Sequence, residues 1–505
     1  MRHRRNRPGT MAFRLLTDLR FVAAGILAAA MACLARSGLD DSDLNPTEHH
    51  ELPTSFSITA PVAFGSDTSP YAAWTLLPGA VRYDLVVATD QVCAIPVQHV
   101  PSVMGTAQQL ATIAYGTYHV CIEAFDVDEK ATPASNNGYA FVLTGGIVLG
   151  QPDEFSNSDN SANPSASTLA RPYQALIVGS RFFVADSFNH RVLIWNSIPT
   201  TNQEPADLVL GQPHMTSNAI NAGGAVSART FNRPAWLQTD GTRLLVSDQG
   251  NHRVLIWNSL PTTNNQAADV VIGQPDMTSN MANNGGISGA SFVGATNSVV
   301  VDGKLFVADL NNHRVLMWNS IPTTNFVAAD LVLGQSDMTS GLENAGGAVS
   351  AQTMSWPTGV DSDGVRLYVA DYRNSRVLIW NSIPTVDQQA ADLVIGQPDF
   401  AANTANNGGI GAQSLRNPQT AHSDGTRLYV GDTLNNRILI WNSIPNTHNA
   451  AADEVMGQPD FVTATANTGG VSLHSMSWPF SLFTDGLRFY YADTYNNRIV
   501  IIPKD

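Results

Sequence analysis

The chain has 505 residues, of which 43% are apolar and only 14% charged, and its formal net charge is −15. Without residues 1–20, which hold six Arg and one Asp, it carries 21 basic and 41 acidic residues. This negative surplus argues against nucleic-acid binding through phosphate neutralisation. The 9 Trp, 12 Tyr and 19 Phe exclude a disordered chain, and no apolar run reaches the roughly 18 residues of a membrane-spanning helix.

Residues 1–35 are typical of a bacterial export signal. Six arginines precede the 15-residue apolar stretch Phe21–Ala35, which is a charged region followed by an apolar region too short to span a bilayer. Met1 and Met11 are equally good starts. The stretch Ala30-Met31-Ala32-Cys33 resembles a lipobox, whose cysteine is lipidated, although Ala30 stands where Leu is usual. The alternative is a secreted protein that is cleaved near Ala35.

Both alternatives predict an exported protein of the periplasm, the outer cell envelope or the extracellular space. Any membrane contact would be through a lipid anchor on Cys33. Residues 36–53 are polar and predict a linker. If Cys33 is lipidated or removed, Cys93 and Cys121 remain as an even pair in an oxidising compartment. No cysteine follows Cys121, which excludes thiolate metal sites and cysteine nucleophiles from most of the chain.

Residues 54–143 predict a small β-sandwich domain. Short alternating strand-like runs such as VRYDLVVATD and GTYHVCIEAFD are separated by turns, without a helical period. Trp74, Tyr83 and the run GTYHVC at 116–121 resemble a fibronectin type III domain, in which Tyr118 would be the corner tyrosine. The resemblance implies that the strands near Cys93 and Cys121 are neighbours, which makes a disulfide between them reasonable. Modules of this kind are usually spacers.

Residues 144–505 contain six copies of one sequence repeat. The motif ADSFNHRVLIWNSIPT begins at Ala185, and its first aspartate recurs with a period of 61 or 62 residues, at Asp186, Asp248, Asp309, Asp371, Asp432 and Asp493. Each unit holds four strand-like runs and nothing helical. Because four short antiparallel strands repeat in every copy, we expect a β-propeller rather than a solenoid.

The motif D-x-x-N-x-R-[VI] after an apolar strand resembles the NHL repeat, which implies an all-β, six-bladed β-propeller. The first copy begins with a lone outer strand at 147–151, and the last copy stops after its third strand. We therefore expect the N-terminal strand to close the last blade and leave no open edge.

Residues repeated in every copy are predicted to be structural. Asp186 and Asn189 would satisfy backbone groups in a turn between strands, and Arg191 would pair with such an aspartate. Trp195 and its equivalents would pack between blades. The same roles are expected at the matching positions of the other copies.

A ligand is expected to contact the positions at which the copies differ. One row lies just before the innermost strand and would rim the central channel; the other lies in a turn on the same side. The first row is Arg171, Arg233, Gly294, Trp356, Asn417 and Trp478, and the second is Phe188, Gly250, Asn311, Arg373, Leu434 and Tyr495. Aromatic and arginine side chains at one mouth suit a glycan, peptide or protein ligand. Of these, Arg171, Arg233, Trp356, Asn417, Trp478, Phe188, Arg373 and Tyr495 are the candidate binding residues.

The alternative function is a metal-dependent propeller lyase or hydrolase that acts at the channel mouth. Some NHL propellers are lyases with a metal held by histidines of different blades, and His190, His252 and His313 share one register here. Ser375, Asn436 and Asn497 replace them in later copies, which fits a tolerant turn position better than a metal site. The prediction is therefore a non-catalytic recognition protein without a cofactor, with Ca²⁺ or Zn²⁺ as the only candidate ions.

Overall fold

A computed structural model describes residues 58–61, 71–74, 80–88, 96–104, 107–109, 116–125, 139–143, 146–160 and 162–504. The predicted export signal, Cys33, the linker at 36–53 and Cys93 lie outside these residues. Within them, no helix is long and apolar enough to cross a membrane.

The N-terminal part forms two antiparallel sheets. Its strands are β1 (Ile58–Pro61), β2 (Tyr71–Trp74), β3 (Arg82–Ala88), β4 (Pro96–Val103), β5 (Ala107–Gln109), β6 (Gly116–Phe125) and β7 (Tyr139–Leu143). The strand orders are β1-β2-β5 and β4-β3-β6-β7. Val86 of β3 pairs with Cys121 of β6. Cys121 is disulfide-bonded, and its pairing with Cys93 stays a prediction.

The described residues from 146 onwards form six four-stranded antiparallel sheets, called blades 1 to 6, joined by turns and loops. The strand before blade 1 is β8 (Ile147–Leu149). Blades 1 and 2 consist of β9 (Gln174–Val178), β10 (Arg181–Asp186), β11 (Arg191–Trp195), β12 (Leu208–Leu210), β13 (Pro234–Thr239), β14 (Leu244–Asp248), β15 (Arg253–Trp257) and β16 (Val270–Ile272). Blades 3 and 4 consist of β17 (Ala295–Val301), β18 (Lys304–Asp309), β19 (Arg314–Trp318), β20 (Leu331–Leu333), β21 (Pro357–Ser362), β22 (Leu367–Asp371), β23 (Arg376–Trp380) and β24 (Leu393–Ile395). Blade 5 consists of β25 (Thr420–Ser423), β26 (Leu428–Asp432), β27 (Arg437–Trp441) and β28 (Glu454–Met456), and blade 6 begins with β29 (Pro479–Thr484), β30 (Arg488–Asp493) and β31 (Arg498–Pro503).

The blades form a closed ring. The first strand of each blade contacts the first strands of both neighbouring blades, and β29 contacts β9 to complete the circle. The helical elements of the described residues are short 3₁₀ turns, one of which joins the second and third strands of each blade, at Ser187–Asn189, Gln249–Asn251, Leu310–Asn312, Tyr372–Asn374, Thr433–Asn435 and Thr494–Asn496. Two further 3₁₀ turns lie between blades, at Ile220–Gly223 and Glu343–Gly346. The protein is therefore an all-β protein with a β-propeller, as predicted.

Strand β8 closes the ring. It pairs antiparallel with β31, with Val148 opposite Val500, and so supplies the fourth strand of blade 6. The prediction that the N-terminal strand completes the last blade is confirmed. The pairing covers the outer edge of β31, where unpaired backbone groups would otherwise be exposed.

Apolar side chains fill the spaces between neighbouring blades. One cluster combines Phe182 and Trp195 of blade 1 with Tyr490 and Ile501 of blade 6. The repeated tryptophans are at most 2% exposed, at Trp195, Trp257, Trp318, Trp380 and Trp441. Each indole N–H also finds an acceptor: that of Trp257 donates to the Gln266 carbonyl at 3.2 Å. The predicted packing role is confirmed.

The repeated Asp, Asn and Arg form one hydrogen-bond network in each blade, called the turn network. In blade 2, Asp248 Oδ1 accepts the Asn232 N–H at 2.7 Å, and Oδ2 accepts Asn251 Nδ2 and Arg253 Nε, each at 2.8 Å. The Arg253 Nη atoms donate to three backbone carbonyls. The corresponding Asp–Arg pairs in all six blades are fully buried, so the predicted pairing is confirmed.

Candidate functional site

The rim of the channel has an unusual backbone. A residue one or three positions before each first strand has a positive φ, from 43° at Arg171 to 81° at Gly294. These six rim residues are Arg171, Arg233, Gly294, Trp356, Asn417 and Trp478. Left-handed backbone favours glycine, because a Cβ atom there approaches the neighbouring carbonyl. Glycine nevertheless occupies only one of the six positions, and both rim tryptophans are held at φ 55°.

A side chain of the preceding blade holds the backbone N–H of each rim residue. His190 Nδ1 accepts the N–H of Arg233 at 3.0 Å, and His313 Nδ1 accepts that of Trp356 at 3.2 Å. In a later blade, Asn436 Oδ1 accepts the N–H of Trp478 at 3.0 Å. The remaining acceptors are His252, Ser375 and Asn497. Residues that look interchangeable in the sequence thus share one task, which is to present an acceptor across the blade boundary.

The acceptor role of His190, His252 and His313 accounts for their shared position in the repeat without a metal ion. An imidazole that accepts at Nδ1 must be neutral there. Burial, with the nearby Arg233 charge, lowers the pKa of His190 to about 4, and burial also lowers the pKa of His252 and His313. In the described part of the chain, no group of three His, Cys, Asp or Glu side chains could hold a metal ion.

One group of predicted residues surrounds the rings of Phe188 and Tyr495. The guanidinium carbon of Arg171 lies 4.7 Å from each ring centroid, and that of Arg233 lies 5.7 Å from the Phe188 centroid. Trp478 packs on Tyr495 with 4.5 Å between ring centroids. Residues from blades 1, 2 and 6 therefore meet at one side of the mouth.

The other predicted residues form a second group around Tyr372. The Arg373 guanidinium lies 3.6 Å from the Trp356 ring centroid, and Trp356 stacks beside Tyr372 at 6.4 Å. Asn417 Nδ2 donates to the Tyr372 carbonyl at 3.2 Å. Glu343 Oε2 lies 3.9 Å from Arg373 Nη1.

The two groups flank a cavity of about 160 Å³ at the channel mouth. Its lining comes from all six blades: Tyr173, Ala235, Trp236, Gln249, Thr296, Leu310, Trp356, Thr358, Tyr372, Gln419 and Phe480. Tyr173 and Phe480 stack with ring centroids 4.0 Å apart. Burial raises the pKa of Tyr173 to about 12, although the charges of Arg233 and Arg171 oppose this shift.

The sequence analysis missed most of this lining. Tyr173 and Phe480 belong to a third variable row, two positions after the rim residues, and that variation could have revealed them. Tyr372 belongs to a row in which Ser187, Thr433 and Thr494 instead donate to a proline carbonyl of the next blade. Because half of the residues in this row make structural hydrogen bonds, the sequence did not indicate that Tyr372 of the same row lines the cavity.

A second cavity of about 190 Å³ lies further along the first strands, and Trp236 lines both cavities. An Asp–His pair borders it: Asp361 Oδ2 and His422 Nδ1 are 2.7 Å apart. His422 Nε2 and Ser481 Oγ are buried and have no hydrogen-bond partner among the described residues. The sequence analysis did not identify this pair.

No protein-family model matches the sequence, and no curated protein does so. Among solved structures, the chain is similar to the periplasmic gluconolactonase of Pseudomonas aeruginosa, with 13% identity, coverage of 84% of this chain and 92% of that chain, and a TM-score of 0.36. It is also similar to the PQQ-bound aldose sugar dehydrogenase of Streptomyces coelicolor, with 10% identity, coverage of 70% and 97%, and a TM-score of 0.39. A third is apo AztD of Citrobacter koseri, with 9% identity, coverage of 76% and 97%, and a TM-score of 0.31. These likenesses carry no argument about function, and the fold rests on the strand pairing described above.

Proposed function

We propose that the protein is an exported recognition protein that binds a glycan, peptide or protein ligand at the channel mouth. Its ring would be an NHL-type, six-bladed propeller, and its N-terminal sheets a fibronectin type III-like spacer. The charged and apolar segments of residues 1–35 support export, with or without a lipid anchor on Cys33.

One observation carries this proposal: bulky side chains occupy left-handed rim positions. A non-glycine residue in this region costs about 1–2 kcal/mol relative to ordinary backbone, and such strain persists only where the surrounding structure enforces it. Arg171, Arg233, Trp356 and Trp478 all have φ between 43° and 55°. The Trp356 side chain lines the cavity. Those of Arg171, Arg233 and Trp478 pack on the rings of Phe188 and Tyr495. Retaining large residues at these strained positions supports a binding role for the mouth.

The test is ligand capture by the mature protein on glycan and peptide arrays. Trp356→Ala removes a ring that lines the cavity, and Leu487→Ala removes a side chain that is 75% exposed in a hairpin at the opposite end of the strands. We expect Trp356→Ala to weaken binding by about tenfold or more, as for a central interface tryptophan, and Leu487→Ala to bind like the wild type. Equal binding by both variants would show that the mouth is not the recognition surface.

A second candidate is an enzyme that acts inside the channel. The Asp361 carboxylate at Nδ1 of His422 orients the imidazole and leaves the Nε2 lone pair facing the second cavity, as a general base requires. We would measure hydrolysis of a panel of chromogenic esters and glycosides by the wild type and by His422→Ala. If the wild type hydrolyses a substrate and His422→Ala does not, the result would support the enzyme. If His422→Ala hydrolyses it as well, the Asp361–His422 pair is not the catalytic site.

The metal-dependent form of the enzyme has a separate test, which is elemental analysis of the dialysed mature protein. About one transition-metal ion per chain would support a lyase or hydrolase. A metal-free protein that still binds its ligand would support plain recognition.

A further inference from the structure

Positive charge surrounds the mouth of this acidic protein. Arg233, Arg373 and Arg416 are exposed and Arg171 is half-buried. Burial raises the pKa of Tyr173, and the charges of Arg233 and Arg171 oppose this rise. Burial also raises the pKa of Tyr372, and the charges of Arg373 and Arg416 oppose that rise. The aspartates of the turn networks are buried and paired. Exposed aspartates of the same face, such as Asp276 and Asp337, follow the outer strands β16 and β20 and do not line the cavity.

Among the described residues, the one ion pair of these four arginines is that of Arg373 with Glu343. Glu343 accepts a hydrogen bond from Ser355 Oγ at 2.6 Å and faces Arg373. These four guanidinium groups and the Glu343 carboxylate give the surroundings of Tyr173 and Tyr372 a positive surplus, although the whole chain has a net charge of −15.

The guanidinium groups of these arginines are held in place but still have N–H groups available for hydrogen bonding. Aromatic rings hold Arg171 and Arg233 by their faces, and the described residues accept no side-chain hydrogen bond from either arginine or from Arg416. Arg253 in the turn network, by contrast, donates to four acceptors. An arginine fork held on an aromatic face, with its N–H groups unused, is arranged to receive a carboxylate.

The shape of the cavity favours the end of a chain that carries rings. A dry volume of about 150 Å³ can accept one six-membered ring, and the cavity measures about 160 Å³. The stacked rings of Tyr173 and Phe480, with Trp356 and Tyr372, offer apolar faces to such a ring. A peptide brings a ring and a carboxylate together only where an aromatic residue is C-terminal or adjoins Asp or Glu, whereas each uronic acid unit of an acidic glycan carries both.

We propose that the channel mouth binds the terminal sugar of an acidic glycan, with the ring on the aromatic lining and its carboxylate on Arg171 and Arg233. This inference rests on the proposed recognition function and adds the chemical class of the ligand. It explains why two arginines from different blades approach the same phenylalanine ring.

The experiment measures the dissociation constants of trigalacturonate, trimannuronate and their methyl esters for the mature protein by calorimetry. Esterification removes the charge and keeps the sugar. We expect at least one acid to bind about tenfold or more tightly than its ester, because hydrogen bonds to charged groups are the stronger ones. The affinity for the acid should fall as salt is raised, whereas the affinity for the ester should change little.

Matched variants assign the preference to the rim. The double variant Arg171→Gln/Arg233→Gln should bind acid and ester equally. Arg243→Gln removes one positive charge from an Asp240 pair in the hairpin at the opposite end of the strand, and it should keep the preference. Trp356→Ala should weaken acid and ester together.

The outcomes separate this inference from the proposed function. If acid and ester bind equally and Trp356→Ala abolishes the binding of both, the proposal of an acidic ligand would be overturned. The proposal of glycan recognition at the mouth would still stand. Tighter binding of an oligoglutamate peptide or an RNA oligonucleotide than of either acid would overturn the glycan assignment. Absence of binding by all four sugars would overturn the inference, while the array experiment would still decide whether the mouth binds another ligand.

Discussion

The protein uses arginine in two contrasting regions. In the turn networks, Arg253 and its five equivalents are fully buried, paired with aspartate and hydrogen-bonded to backbone carbonyls. At the rim, Arg171 and Arg233 lie on aromatic rings and donate no side-chain hydrogen bond to a described residue. The difference shows how repetition and function divide the chain: a residue repeated in every blade has its partners within the blade, whereas a residue that varies still has bonding capacity to offer.

The largest expected effect comes from breaking a turn network. Arg253→Met would leave the Asp248 carboxylate buried without its counter-charge and would remove the donors to three carbonyls. We expect the free energy of unfolding to fall by about 3–5 kcal/mol, as when one partner of a buried pair is removed. Urea unfolding of the variant and the wild type measures this difference. A loss below about 1 kcal/mol would mean that the network contributes little to stability.

An intermediate effect is expected from the histidines that hold the rim. Folding lowers their pKa, that of His190 from 6.5 to about 4, so the unfolded chain binds more protons between these values. Stability should therefore fall as the pH is lowered from about 6.5 to about 4. Unfolding curves measured across this range test the expectation.

The chain itself supplies the control for this pH effect. Asn436 and Asn497 accept the same N–H in later blades. The triple variant His190→Asn, His252→Asn and His313→Asn should keep the inter-blade bonds and flatten the pH dependence between about 6.5 and 4. A pH dependence that persists unchanged in this variant would place its origin in other groups.

The smallest effect on stability is expected at the rim. Arg233 is exposed, and the contact that its guanidinium makes with the described residues is with the Phe188 ring, at 5.7 Å from the centroid. Arg233→Gln should change the free energy of unfolding by less than about 0.5 kcal/mol, as at ordinary surface positions. The same urea series provides the measurement. A loss comparable to that of Arg253→Met would make the rim arginine structural and would remove the contrast between the two regions.

The sequence predicts the fold well because its information is repeated and local. The motif of Asp186, Asn189 and Arg191 occurs in all six copies and specifies the same turn in each. The strand at 147–149 precedes the first complete blade, and it pairs with the last strand of blade 6, which lacks a fourth strand of its own. The two variable rows were chosen as candidate binding positions for a similar reason, since a position that varies among otherwise similar repeats is visible without a structure, and their binding role stays a prediction.

The cavity lining and the Asp361–His422 pair were not predicted, because they arise between blades. Asp361 and His422 occupy the same register in successive copies and lie 61 residues apart, yet neither belongs to a recognisable motif. The sequence aligns His190 with Asn436 but does not show that both accept a rim N–H, because that shared role depends on acceptor geometry and not on side-chain type.

Strand β8 also sets the order in which the ring can be completed. Its neighbour Gln151 donates to the carbonyl of Asn497, 346 positions later in the chain. Blades 1 to 5 pair strands that are close in sequence, so they can assemble as synthesis proceeds, but the sixth must wait until β31 has emerged. Contacts between such distant segments are slow to form because the intervening loop must first be ordered. Closure is therefore the last step of assembly, and until it happens β8 remains an unpaired edge at risk of pairing with another chain.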